Sequence, residues 1–288
     1  MKQEIFFEPI AHRYFNDKNE TYLSATQLIH LFVPEFDKEY WLFYKALQRS
    51  LGYPNTEEGK TGYKSYLKAH GWVFADWGIK NLDKLKRIAE WSDVSIEEEG
   101  TVEVIEKEWK KKNTDALIKG TKFHNEAEAQ QLGSENYRFE GLNKHVKVNR
   151  DYSGNLLDIR TNGIIPELVL VNHKYKIAGT TDQPYFELPY VDIDDFKTNG
   201  KIVTENKFGK MLHCLSHLDD CNFNHYNIQL SLYAWMLEQY GYKPRNLGIL
   251  HILFDNENSP TYKVHYPMKY LKKEIEQMLE YYDKNLRK

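Results

Sequence analysis

Residues 177–198 read IAGTTDQPYFELPYVDIDDFKT, two apolar runs rich in β-branched and aromatic residues on either side of Leu188-Pro189. Such runs, bounded by turn residues, read as strands. A third run, IIPELVLVN, precedes them across the polar turn around Lys174-Tyr175. A hairpin centred on Leu188-Pro189 sets Asp182 opposite Asp195. One centred on Lys174-Tyr175 sets Glu167 opposite Asp182. Directly opposed residues have Cβ atoms roughly 5 Å apart, so three carboxylates line up across three neighbouring strands. Lys197 lies two residues beyond Asp195 and therefore shares its face.

Carboxylates packed that closely repel one another unless a cation compensates. A divalent, oxygen-seeking ion, Mg²⁺ first of all, is the expected compensation. Such an ion stabilises charge developing on a phosphodiester and activates water, and Lys197 is placed to orient that water or neutralise the phosphate. The acid-x-Lys triplet is common by itself, and recurs here at Glu58, Glu108 and Glu205. Only Asp195 ends an apolar strand-like run with a second acid upstream on another.

Working outward, VIEKEWKKKNTDALIKGTKFHNEAEAQQL before the strands has helical character, with a break expected near Gly120. His124 and Glu128 share one face of it. After the strands come a periodic helix, HYNIQLSLYAWMLEQYG, two further strands, NLGILHILFD and PTYKVHYP, and a charged amphipathic helix, LKKEIEQMLEYYDKNL. This order predicts an α/β fold, a central mixed β-sheet flanked by helices. The N-terminal part reads as a hairpin over 6–23, a short helix capped by Ser24 and limited by Pro34, and several short helices from about 36 to 95. Its aromatics Trp41, Tyr44, Trp72 and Trp77 fit core packing better than base stacking. The expected organisation is 1–100 as a hairpin and helical portion, packed on a core of 101–288.

With 288 residues, 41% apolar and 28% charged, and a formal net charge of −3, the chain can bury a sizeable core. No run of about 18 apolar residues is present, so no membrane span is expected. MKQEIFFEPIAHRYF lacks the apolar stretch of a signal peptide. Two cysteines, Cys214 and Cys221, are too few for a disulfide framework. A cytoplasmic protein with reduced thiols is expected. Overall charge shows no basic footprint, yet Lys107, Lys110, Lys111, Lys112, Lys119 and Lys122 cluster, as do Lys197, Lys201, Lys207 and Lys210, against acidic stretches such as Glu97, Glu98 and Glu99. Nucleic acid is permitted by charge rather than demanded. His213, Cys214, His217 and Cys221 have zinc-like spacing, but no loop or hairpin to pair them as ligands, and no P-loop is present.

Five elements in order, GTKFH ending at His124, PELVL with Glu167, AGTTD with Asp182, DFKT with Asp195 and Lys197, and QLSLY with Gln229 and Tyr233, resemble the PD-(D/E)XK nuclease superfamily. The branch is that of RecB-like and phage recombination exonucleases. The resemblance covers roughly residues 115–235, with the strands and helix that follow also similar. It implies a restriction-endonuclease-like core, α-β-β-β-α-β, and a metal held by Asp182, Asp195 and the backbone carbonyl of Phe196, with His124 as a further ligand. Lys197 is then the catalytic lysine, Glu167 supports the metal shell or a second ion, and Gln229 and Tyr233 position the lysine or contact the DNA backbone. The implied activity is a Mg²⁺-dependent DNA exonuclease, with Mn²⁺ able to substitute, that processes ends in recombination, repair or replication. DNA is the expected partner, with a single-strand annealing or recombination protein as a possible second. If the chain is phage-encoded, the location is the bacterial host cytoplasm. The alternatives are a structure-selective endonuclease or resolvase, and a non-catalytic DNA-binding protein that keeps the fold. The four-cysteine iron–sulfur cluster of some superfamily members is excluded by the two cysteines.

Overall fold

The computed structural model describes residues 5–8, 13–94, 96, 101–152, 154, 156–255 and 259–287. Glu97, Glu98 and Glu99, and residues 9–12 of the expected hairpin, lie outside them. In chain order the strands are β1 (Ile5–Glu8), β2 (Arg13–Asn16), β3 (Thr21–Ser24), β4 (Asn136–Phe139), β5 (Lys144–Lys147), β6 (Gly163–Ile164), β7 (Leu168–Asn172), β8 (Ile177–Thr181), β9 (Gln183–Glu187), β10 (Tyr190–Lys197), β11 (Lys243–Phe254) and β12 (Pro260–Met268). The helices are α1 (Ala25–His30), α2 (Lys38–Ser50), α3 (Glu57–Ala69), α4 (Phe74–Ile79), α5 (Leu82–Trp91), α6 (Thr101–Gly133), α7 (Asn222–Gln239) and α8 (Lys272–Tyr281). The protein is α/β, and no described helix is long and apolar enough to cross a membrane.

The chain divides into two compact units, residues 1–34 with 118–288, and residues 35–117. This differs from the division expected at residue 100. The N-terminal strands belong with the second half of the chain because Leu23 and Ser24 pair in parallel with Ile177 and Ala178. Helix α6 runs unbroken through Gly120 and contributes residues to both units. Gly120 serves close approach instead: a Cβ there would lie 3.0 Å from Thr198 Oγ1.

The unit of 35–117 is helical, with Tyr40, Tyr44, Tyr63, Leu67, Trp72, Leu85 and Ile88 buried together and Trp41 and Trp77 packed on them. Trp41, Tyr44, Trp72 and Trp77 are part of this core, as expected, whereas Phe36, Phe74 and Trp91 are exposed. Ser24, Asp37, Thr56 and Asn81 cap their helices by accepting backbone N–H groups.

In the other unit, two five-stranded sheets replace the one central sheet expected, in the orders β1-β2-β3-β8-β7 and β12-β11-β10-β9-β6. Both are mixed: β3 runs parallel to β8 and β10 parallel to β11, with the remaining neighbours antiparallel. The reason for two sheets is a break in each strand of one long ribbon. Residues 163–172 and 177–187 keep a single antiparallel register, from Gly163↔Phe186 to Asn172↔Ile177. Residues 165–167 on one strand and Asp182 on the other interrupt the ribbon at the same level. Glu167 has φ +48°, the left-handed region that a side chain disfavours, while its N–H still donates to the Asp182 carbonyl at 3.1 Å. On one side of this kink the ribbon belongs to the first sheet, on the other to the second. Helix α7 packs on β7, β8, β10 and β11, and its Ile228, Leu230, Leu232, Met236 and Leu237 join Leu168, Leu170, Ile177, Val191, Ile193 and Ile249 in the main core. The hairpin β4–β5 fills a stretch whose polar composition gave no strand signal.

Candidate active site

Both registers read from the turns are present. Tyr190↔Glu187 through Asp194↔Gln183 pair in line about Leu188-Pro189, which brings Asp195 alongside Asp182. Leu168↔Thr181 through Asn172↔Ile177 pair in line about the other turn, which brings Glu167 alongside Asp182. Asp182 and Asp195 are 6% and 2% exposed. The Phe196 N–H donates to Asp182 Oδ2 at 2.6 Å, and the Asp182 N–H faces Asp195 Oδ1 at 3.5 Å. Asp195 Oδ2 takes the Lys197 ammonium.

His124 reaches the ribbon from α6. Its Nδ1 is 3.4 Å from Asp182 Oδ1 and 3.6 Å from Glu167 Oε1, and the three side chains offer ligand atoms within 4.8 Å of one another. Of the expected ligands, then, His124 and Asp182 are brought together, with Glu167 as their third member. Asp195 is turned to Lys197 beside them. Phe196 presents its N–H to Asp182, and its ring packs against Phe123 and His124, with centroids 5.2 and 5.8 Å away.

The charges are tightly interlocked. Burial works against a charged His124, but Asp182, Glu167 and Asp195 outweigh it and hold the imidazole up at about 10. Burial, then Asp182, pushes the Asp195 carboxyl above its usual range against the pull of Lys197 and His124. Burial and the neighbouring acids raise Glu167 likewise, His124 opposing them. Lys197 is raised: burial disfavours its charge, and Asp195 and Asp182 more than restore it. Carboxylates that resist ionisation around one imidazole are a site short of positive charge. One nitrogen and several carboxylate oxygens suit a small divalent cation of the Mg²⁺ or Mn²⁺ kind, so the donor set fits the group expected.

Gln229 and Tyr233 are bonded to each other on α7. Tyr233 is 2% exposed, with its hydroxyl accepting from Gln229 Nε2 at 2.9 Å. Its ring lies against Gly179, where a Cβ would come within 2.6 Å of Tyr233 Cε1. The glycine of AGTTD thus lets the α7 tyrosine seat directly on the strand that leads into Asp182.

Three residues of this neighbourhood carried no sequence signal. Tyr226, on the first turns of α7, places its ring 4.8 Å from Lys197 Nζ, and the spacing to Gln229 marks only a shared helix face. His251 sits beside Lys197 on the parallel strand β11 and donates from Nε2 to the Asn199 carbonyl at 2.6 Å. On the opposite face of β10, Asp194 receives the Gly141 N–H at 2.8 Å and His265 Nε2 at 2.9 Å. These last two contacts join segments far apart in sequence, and no local pattern encodes them. His213, Cys214, His217 and Cys221 form no metal-binding group among the described residues.

No protein-family model matches this sequence, and no curated protein matches it.

Proposed function

We propose that the chain is a divalent-metal-dependent deoxyribonuclease of the PD-(D/E)XK type, acting on DNA ends. The observation that carries this reading is the kink of the ribbon. It sets Glu167 and Asp182 against His124, with Asp195 and Lys197 on the adjoining strand. The restriction-endonuclease-like core is part of the same proposal, supported by the succession of α6, the ribbon, β10, α7 and β11 around these residues.

His124, Asp182 and Glu167 would hold the ion, with Asp195 as the neighbouring carboxylate. A bound Mg²⁺ or Mn²⁺ supplies Lewis-acid stabilisation of phosphate charge and makes its water more acidic. The chain's own groups have defined tasks. Asp182 Oδ2 is fixed by the Phe196 amide, which leaves Oδ1 directed to His124. Lys197 is held in its charged form by Asp195 and offers a desolvated ammonium to the non-bridging oxygens of a phosphodiester. Tyr226 lies against that ammonium and restricts where it points. Tyr233, bonded to Gln229, seats on β8 at Gly179.

The test is to incubate the protein with end-labelled linear DNA and covalently closed circular DNA, in Mg²⁺, Mn²⁺ or EDTA. The expected result is loss of linear DNA in either metal and none in EDTA. Undiminished cleavage in excess EDTA overturns the metal mechanism. Equal cutting of closed circles replaces the exonuclease reading with an endonuclease.

A further inference from the structure

In the unit of 35–117, helices α2 and α3 bring three lysines together. Lys60 and Lys64 lie four residues apart on α3 and share one flank of it. Lys45 comes from α2. Its ammonium donates to the Gln48 amide oxygen at 3.0 Å and to that of Asn55 at 3.4 Å. Asn55 directly precedes Thr56, which caps α3, so Lys45 stands at the start of the helix that carries the other two. Burial first, then the charges of Lys60 and Lys64, push the Lys45 ammonium below its ordinary value, with Glu57 opposing.

Lys45 is held in place from below. It is half-buried, and the Gln48 that receives it is 2% exposed. Gln48 Nε2 is fixed in turn to the Tyr53 and Pro54 carbonyls, at 3.4 and 3.1 Å. Gly59 closes the same corner, since a Cβ there would fall 2.1 Å from the Pro54 carbonyl oxygen. Both acceptors on Lys45 are neutral amides. Among the described residues Lys45 and Lys64 pair with no carboxylate, and Lys60 pairs with Glu57, whose side chain is 92% exposed. An ion pair that open to water is weak, so three ammonium groups face one loosely held acid. Like charges so gathered favour the arrival of an anion. The track is also longer than one anion. Lys68, exposed, continues it, and Lys60 to Lys68 spans about 12 Å of helix. A row of point charges of that length matches a chain of phosphates better than a single one.

We propose that Lys45, Lys60 and Lys64 bind the sugar–phosphate backbone of DNA, with Lys68 extending the contact along α3. The inference rests on the nuclease reading above for its choice of polyanion, and gives the helical unit a part in holding the substrate. Contacts of this kind fix position on the strand without reading its sequence. Lys45, ordered in advance by Gln48, loses little freedom on binding.

The experiment measures anisotropy of a labelled DNA duplex in Ca²⁺ over a range of salt, with wild type, Lys45→Gln, Lys64→Gln and the triple variant that adds Lys60→Gln. Lys174→Gln, an exposed lysine on the β7–β8 turn, controls for net charge. Each single variant of the track should flatten the slope of log affinity against log salt by about 0.9, and the triple by about 2.7, one duplex phosphate per lysine. Lys174→Gln should leave the slope as it is. The rise in melting temperature with Mn²⁺ should survive in all of them, since none of these lysines lies among the acids that would hold the ion. An unchanged slope and affinity in the triple variant overturn the inference, as does equal flattening by Lys174→Gln. Inorganic phosphate that raises the melting temperature of wild type but not of the triple variant, with DNA affinity equal in both, would assign the lysines a free anion instead. If wild type cuts linear DNA and the triple variant binds it as tightly, the track alone fails. If wild type neither cuts nor binds any DNA, the nuclease reading fails with it.

Discussion

Lys197 and Asp195 form a buried ion pair one strand away from the kinked ribbon, and the two residues answer differently to removal. With Lys197→Ala the ammonium beside the phosphate is lost, and an electrostatic contribution of that kind is typically worth about 3–4 kcal/mol, roughly 10²–10³ in rate. The expected outcome is a drop of that size in single-turnover cleavage in Mg²⁺, with DNA affinity in Ca²⁺ changed only a few fold. Equal losses in both measurements would make Lys197 an ordinary phosphate contact. Asp195→Ala leaves Lys197 buried without its partner, so it should lower the melting temperature as well as abolish cleavage. A variant cutting at the wild-type rate would remove Asp195 from the mechanism. At this scale much was legible beforehand. The turns at Lys174-Tyr175 and Leu188-Pro189 fix which acids face one another, because strand pairing from a tight turn leaves little choice of register. That Asp195 turns to Lys197 while Glu167 joins His124 was not legible, since it depends on side-chain directions at a backbone kink.

Strand β8 and helix α7 meet at Gly179 and Tyr233, with Ala25 on the third side, 3.2 Å from where a Cβ would stand. Gly179→Ala must push the Tyr233 ring off the strand, and overpacking of this sort costs about 1–3 kcal/mol. Tyr233→Ala combined with Gly179→Ala should cost less than the two single losses added, which chemical denaturation of the four proteins would read. Strict additivity would mean that the ring and the strand do not press on one another. Strands β10 and β12 are coupled through Asp194 and His265. The hydrogen bond that Asp194 accepts from His265 raises the imidazole above its ordinary value, burial opposing, with lesser help from the Asp194 and Glu140 charges. A histidine raised on folding stabilises the protein fully below its unfolded value, about 6.5, and that stabilisation fades as pH rises through the folded value. The stability difference between wild type and His265→Leu should therefore be largest near pH 6 and shrink in alkali. A difference that grows with pH would contradict the pairing. Among elements, the order of strands and helices from residue 163 onward was readable from periodicity, whereas β4 and β5 were not. The separation into two sheets was not, because it is decided by a break of three residues, 165–167, opposite a break of one, Asp182, inside runs whose composition otherwise reads as continuous strand.

The whole molecule should respond to the cation that its crowded acids favour. A ligand that binds only the folded state stabilises it by about 2.7 kcal/mol at a hundred times its dissociation constant. For a chain of this size that shifts melting upward by several degrees. Mn²⁺ or Mg²⁺ should raise the melting temperature of wild type, and His124→Ala or Asp182→Asn should lose most of that rise. An identical shift in all three proteins would place the ion elsewhere. The division at residues 34/35 and 117/118 escaped the sequence because neither point carries a linker of distinctive composition, and the second lies inside α6. The pairing of β3 with β8 has a temporal side as well. The partner of Leu23 is Ile177, so on a ribosome adding about 5–20 residues per second the first strands emerge roughly 10–30 s before the strand that completes their sheet. Residues 35–117 are contiguous and can fold during that interval. Meanwhile Leu23 and Ser24 present an open strand edge, the kind of surface that recruits other chains. Nascent or truncated chains ending before Ile177 are thus where this protein is most exposed to aggregation and to chaperone capture.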